Sequence, residues 1–388
     1  MPDIYEDDKI KVIAFYLPQY HSIPENDKAW GTGFTEWTNV KKAKPLFAGH
    51  NQPRIPLDNN YYNLLENGVM EWQSSLAQKY GVFGFCYYHY WFKKGKKLLE
   101  KPIEKMLVNP DVSIPYCVCW ANENWTKKWD GGNSEIIEEQ DYDDEDDWEK
   151  HIDYLVSFFK DDRYITVNGK PLLLIYRPTL IPNVQKLLYC WNERVKEHGF
   201  EGICFMVQNG SAFYDPQFEM GLFSYQIKFE PFFSAMLTNG ENWKRKRKCI
   251  RLLKKLCVFK PVYKLKKFIN KKKTETGKTQ NVINYDRLWS GILSDNLESY
   301  LVEGAVVDWD NTPRTPYGTR LDGANPEKFE AYFGKLVDKI EKKQEFPAIF
   351  INAWNEWGEG AYLEPDEKNG YGFLEGIKNV LNDRKVEK

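Results

Sequence analysis

Two glutamates three residues apart end an apolar run near the C-terminus, in FINAWNEWGEGAYLEPD (350–366). On one helical turn, Glu356 and Glu359 would place their Cβ atoms about 5–6 Å apart, within reach of neighbouring oxygens of one sugar ring. Carboxyls that close push their pKa values apart, leaving one as acid and one as base. A third acid, Glu123, stands in Asn122-Glu123-Asn124-Trp125 after another apolar run. Tyr20, His21, Glu36 and Trp37 follow the first such run, and His89, Tyr90 and Trp91 the second. Arg177, Gln208, Asp308, Asp310, Asn355 and Trp357 hold equivalent places further along. This set suits a sugar: rings stack on aromatic faces, amides and carboxylates bind hydroxyls, and paired acids serve glycosidic chemistry. The alternative for His89 is a satisfied barrel-mouth histidine, and Asp308 and Asp310 fit equally as hydroxyl ligands or as capping residues.

The runs that precede these residues are strand-like and almost continuously apolar: 12–17, 82–88, 114–120, 172–176, 203–208, 222–226, 305–309 and 348–354. That texture belongs to parallel strands covered on both faces. Helical periodicity fills most of the gaps, at 60–79, 97–107, 145–160, 183–198, 285–302, 326–343 and 370–383. Eight strands in this alternation predict an α/β fold: a single (β/α)8 TIM barrel over 1–388, with enlarged βα loops and a basic insert between strands 6 and 7. A doubly wound open sheet is the competing topology. In a barrel, the residues named above all fall at the C-terminal face, where barrel enzymes work.

Composition narrows the field. The chain has 388 residues, 42% of them apolar, which is enough for a large core. The seven cysteines are an odd number and several sit inside apolar runs, as buried free thiols do. Neither they nor the five histidines show a metal-ligand spacing, and no glycine-rich phosphate loop is visible. These patterns give no reason to expect a bound metal or cofactor. Aromatic residues reach 16%, which suits carbohydrate or nucleic acid. The net charge of −2 conceals a segregation: residues 241–280 carry +14 and the rest of the chain −16. An acidic body would repel phosphate, so nucleic acid is not an expected partner. The stretch KRKRKCIRLLKKLCVFKPVYKLKKFINKKK (244–273) interleaves apolar residues with lysines, the pattern of a segment drawn to an anionic membrane surface; a solvated basic loop is the alternative. The acidic N-terminus, MPDIYEDDKIKV, has no secretory pattern, so the expected location is cytoplasmic, peripheral at the inner membrane face where the insert engages it.

Three motifs, IAFYLPQYHSIPENDKAWGTGFTEWTNV (13–40), CWANENWTKKWDG (119–131) and NAWNEWGEGAYLEPD (352–366), resemble those of WbsX-like proteins, which are similar to glycoside hydrolase family 99. Members are often described as glycosyltransferases of surface-polysaccharide loci. In the family 99 endo-α-mannosidases a Glu-Trp-x-Glu-Gly motif on a (β/α)8 barrel carries the catalysis. The resemblance then implies that Glu356 deprotonates the sugar's own 2-hydroxyl to give a 1,2-anhydro intermediate. Glu359 would protonate the leaving oxygen and later activate water, with net retention. Glu123 belongs to the WbsX-like motif, with two roles open: holding a hydroxyl, or acting as acid or nucleophile opposite the pair. Three activities follow as expectations: a retaining glycoside hydrolase acting on a bacterial polysaccharide or lipid-linked oligosaccharide, a glycosyltransferase or transglycosylase of O-antigen or capsule assembly, or a non-catalytic carbohydrate-binding barrel.

Overall fold

Eight apolar segments pair side by side in parallel: β1 Lys11–Tyr16, β2 Gly84–Phe92, β3 Tyr116–Trp120, β4 Lys170–Ile175, β5 Cys204–Val207, β6 Tyr225–Ile227, β7 Leu301–Val306 and β8 Ala348–Asn352. Each pairs with its neighbours in chain order, and β8 returns to β1, with Lys11 opposite Ala348 on one side and Ile13 opposite Gly84 on the other. The sheet is therefore a closed TIM-type barrel, and the open-sheet alternative is excluded. Every residue of β1, β2 and β3 is buried, because one face fills the barrel and the other meets the helices. The computed structural model describes residues 1–7, 9–127, 135–142, 144–208, 223–238, 280–294, 299–315, 317–343 and 346–386. The basic stretch 244–273 lies outside them.

Among the described residues the helices are α1 Pro24–Trp30, α2 Glu36–Lys42, α3 Val69–Lys79, α4 Lys101–Leu107, α5 Glu145–Phe159, α6 Val184–Glu197, α7 Phe232–Thr238, α8 Tyr285–Ile292, α9 Pro326–Lys343 and α10 Gly372–Val386. The acidic run before α5 is its N-terminus: the Asp144 carboxylate accepts from the amides of Asp146 and Asp147, and acids fill the first turn, where they favour the helix dipole. No described helix is long and apolar enough to cross a membrane.

Three elements differ from the periodicity reading. The helix expected over 285–302 ends at Ile292, and β7 begins at Leu301 rather than 305. Glu303 interrupts the apolar run of β7 in sequence, yet it is buried between Lys228 and Lys339, the latter at 2.8 Å, so the strand carries a charge inside the fold. The helix expected over 60–79 starts only at Val69.

Candidate active site

The chain leaves β8 and makes a hairpin. Asn355–Glu356 pairs antiparallel with Ala361–Tyr362, and the tip, Trp357–Glu359, is a single 3-10 turn. Glu356 and Glu359 thus bracket one turn, and each residue between and around them has a physical task. Asn355 fastens the hairpin to the end of β1 by accepting from Leu17 N at 2.7 Å and donating to Leu17 O at 3.1 Å. Trp357 stacks on Tyr362 with centroids 3.7 Å apart and donates its indole N–H to Glu364 at 2.7 Å. Gly358 has no room for a Cβ, because the Glu36 carboxylate occupies that space. Gly360 turns the chain at φ 64°, and a Cβ there would stand 2.8 Å from Asp310 N and 2.9 Å from Arg54 Cζ.

One guanidinium joins three carboxylates at this turn. Arg314 donates from Nε to Glu36 at 3.0 Å, from Nη2 to Glu356 at 3.1 Å and from Nη1 to Glu359. The loop carrying it is stitched in place. Asp310 accepts from Thr312 N and Oγ1, Asn311 O accepts from Arg314 N, and Asn311 Oδ1 accepts from Thr319 N. Burial opposes the arginine's charge, but Glu36, Glu359 and Glu356 outweigh it and keep it protonated. Burial, and then the Glu359 charge, push Glu356 up to about 8 against the pull of Arg314. Burial also raises Glu359, with Arg314 opposing and Glu36 assisting. Both shifts favour the protonated forms, and the two carboxyls titrate as one pair.

A cleft of about 590 Å³ opens above the pair at the C-terminal mouth of the barrel. Glu123, Asn124, Trp125, Tyr90, Arg177, Glu356 and Glu359, all singled out from sequence, line it. Glu123 and Arg177 pair at 2.7 Å, both about two-fifths exposed. The other sequence candidates are not part of this lining. Glu36 is fully buried, bonded to Arg314 and packed against Gly358 between the two glutamates. Tyr20 binds the hairpin backbone at Asn355 O, and Trp37 donates to Tyr62 O at 2.8 Å. His21 donates to Pro18 O at 3.1 Å. His89 meets His151 Nε2 at 2.9 Å, and Trp91 donates to Asp147 at 3.0 Å, both directed toward α5. Asn122 clamps the backbone of Arg177, accepting from its N at 2.7 Å and donating to its O at 2.9 Å. Gln208 donates to the Tyr88 hydroxyl at 2.7 Å. Asp308 binds Arg54, and Asp310 binds Gln52 and His50, tying the loop after β1 to the end of β7. Asn355 and Trp357 shape the hairpin as described. These residues build the walls that hold the lining residues.

Arg314 was not among the sequence candidates. Its signal is an arginine held between Pro313 and Pro316 in the loop after β7, four residues beyond Asp310. Tyr88, Tyr176, Phe229, Phe232 and Trp309 also line the cleft and give it an aromatic rim suited to stacking on sugar rings.

Comparison with known proteins agrees with this architecture. Two proteins named "Uncharacterized protein WxcX", from two strains of Xanthomonas campestris pv. campestris, are each 34% identical over 374 residues, covering 95% of this chain and 49% of theirs. The chain therefore spans about half the length of these curated relatives. Among solved structures, the GH99 endo-alpha-mannosidase from Bacteroides thetaiotaomicron shares the fold with a TM-score of 0.55 at 13% identity, over 98% of this chain and 99% of that one. A "Glycoside hydrolase-like protein" superposes with a TM-score of 0.57 at 10% identity, over 97% and 94%. The sequence profile described as "Glycosyltransferase WbsX" matches residues 12–377, nearly the whole described barrel, and the chain belongs to that family.

Proposed function

We propose that this chain is a carbohydrate-active enzyme that cleaves or transfers a glycosidic bond, with Glu356 and Glu359 as the reacting carboxyls. The observation that carries this reading is their placement: two carboxyls on one turn at the floor of an aromatic cleft at the barrel mouth. A glycosidic bond needs a proton for its leaving oxygen and a base for a nucleophile. Glu356, in the ionised form that Arg314 favours, takes the proton of the sugar's 2-hydroxyl, which attacks the adjacent anomeric carbon. Glu359, the more exposed of the two at 23% against 8%, gives its proton to the leaving oxygen and then takes one from the incoming water or acceptor hydroxyl. The incoming oxygen bonds to the anomeric carbon and breaks its bond to O2 as Glu356 returns its proton to O2. One short turn can reach both oxygens because O1 and O2 are neighbours on the ring. Glu123 and Arg177 stand at the rim as hydroxyl contacts, and Trp125 and Trp309 offer stacking faces.

Transfer to an acceptor sugar is the second reading, favoured by the family's description as a glycosyltransferase. The hydrolase-type site serves both, since water and an acceptor hydroxyl enter the same position. Asp308 and Asp310, which have the spacing of a metal-binding pair in nucleotide-sugar transferases, are engaged by Arg54, Gln52 and His50 instead. The test is a panel of oligosaccharides and activated aryl glycosides, with and without acceptor sugars. Glu359→Gln is expected to lose roughly 10²–10⁴-fold on poor leaving groups and much less on activated ones, while Glu356→Gln loses on both. A double variant as active as wild type on a confirmed substrate would overturn the assignment and return the barrel to a binding role.

A further inference from the structure

Three carboxylates meet one guanidinium at the floor of the cleft, which Arg314 lines beside Glu356 and Glu359. If all were ionised, the cluster would hold two surplus negative charges on side chains that are between fully buried and 23% exposed. Burying unbalanced charge is costly, and a group in that position neutralises instead. The planar fork of an arginine offers separate donors at fixed angles, which a lysine cannot reproduce. Here each edge is used once: Nε toward Glu36, Nη2 toward Glu356, Nη1 toward Glu359. Glu36 is the first residue of α2 and its backbone N–H bonds to Gln19 O, so the anchor beneath the arginine is itself fixed. The same carboxylate fills the space over Gly358, inside the turn that separates the two glutamates.

We propose that Glu36 and Arg314 form a positioning unit for the Glu356/Glu359 pair: the anchored guanidinium holds both carboxyls in register, and the unit's charge sets how many protons they share. The proposal rests on the reading of that pair as the reacting groups. Neither Glu36 nor Arg314 is assigned a bond to the reacting atoms. Other groups facing Glu356 are Glu359 and, from the loop after β1 and from β2, the hydroxyls of Tyr20, Tyr88 and Tyr90, which burial keeps protonated. Among the described residues, the charged side chains acting on Glu356 are Glu359, Arg314 and Glu36, and the effect of removing each has a definite sign. Removing the negative Glu36 makes it easier to ionise the pair. Removing the positive Arg314 makes it harder.

The experiment is a carboxyl-carbon NMR titration of the full chain labelled with [5-13C]glutamate, the signals assigned by loss in Glu356→Gln and Glu359→Gln. Glu36→Gln, nearly isosteric, is expected to move the loss of the pair's last proton down, and Arg314→Met to move it up, each by roughly 1–3 pH units. Arg314→Lys keeps the charge but not the fork, so its titration stays near wild type while turnover falls. Opposite shifts in two folded variants are not produced by a merely structural lesion. Unmoved titrations, or shifts of the same sign, overturn the proposal even if turnover is lost, and leave the reading of the pair intact. Shifts as stated, together with full turnover in Glu356→Gln and Glu359→Gln, instead sink that reading and the role built on it.

Discussion

Gly358→Ala tests the packing on which the site depends. The added methyl would enter the space of the Glu36 carboxylate, and Arg314 Nε lies 3.1 Å from the same point. Glu36 is fully buried and cannot swing into solvent, so accommodation must come from the turn or from the Glu36–Arg314 contact at 3.0 Å. Overpacking of this kind costs about 1–3 kcal/mol. Losing a buried, charge-assisted hydrogen bond adds about 1.5–3 kcal/mol, so a destabilisation of roughly 3–5 kcal/mol is expected when both occur. Turnover should fall as well, because a displaced Arg314 releases Glu356 and Glu359 together. Equilibrium urea unfolding reads the first effect and a double-mutant cycle identifies its source. Glu36→Ala vacates the colliding carboxylate, so Gly358→Ala should cost far less in that background, giving a coupling well above the 0.3–0.5 kcal/mol expected of independent sites. A Gly358→Ala protein as stable as wild type, or a cycle with no coupling, would show that Glu36 does not press on the turn.

Stability should peak between about pH 4.5 and 6.5, the ordinary values for glutamate and histidine. Burial raises Glu230 and Glu364 to about 7 and Glu356 to about 8, so their contribution is complete below 4.5 and fades as pH rises through those values. Burial lowers His21 to about 4, His89 to about 3 and His151 below its ordinary value, so theirs is complete above 6.5 and fades as pH falls. Thermal unfolding across pH 4–9 checks this, and a curve still rising between pH 7 and 8 contradicts it. Glu123→Gln should raise KM with little change in kcat and under about 0.5 kcal/mol in stability, its partner Arg177 being half-exposed; a drop of about 10²-fold or more in kcat would instead give Glu123 a proton-transfer role. Deleting 244–273 should abolish low-salt sedimentation with phosphatidylserine vesicles, since each lysine or arginine near such a surface contributes about 1 kcal/mol. An intact chain that ignores those vesicles removes the membrane-face proposal.

The strands were legible because burial on both faces leaves an unbroken apolar run, and that is what β1 to β5 and β8 display. Two places defeated that signal, and both are ionic. Glu303 inside β7 and Lys228 just after β6 read as surface residues, yet they neutralise one another in the interior, where a paired charge is tolerable and an isolated one is not. The Glu356/Glu359 turn was legible because a strand end fixes where it must lie. Arg314 was not, because its anchor, Glu36, stands 278 residues away in sequence and no local spacing encodes such a meeting.

Two of the candidates that do not line the cleft, His89 and Trp91, are placed by a rule that the sequence does contain. Side chains alternate along a strand, so consecutive residues at a strand's end point to opposite faces. On β2, Tyr88 and Tyr90 face the cleft, while His89 and Trp91 turn outward to His151 and Asp147 of α5. Residues of opposite parity on one strand cannot share a ligand, so His89, Tyr90 and Trp91 could never all have been contacts of the same sugar. Once Tyr88 or Tyr90 is assigned inward, His89 and Trp91 follow as wall residues without coordinates. Trp91 stacks on His151 at 4.5 Å with the rings 3° from parallel, and that pair presses β2 against α5. A change such as Trp91→Leu should therefore act on the cleft only by loosening β2, lowering stability before it alters which sugar is bound.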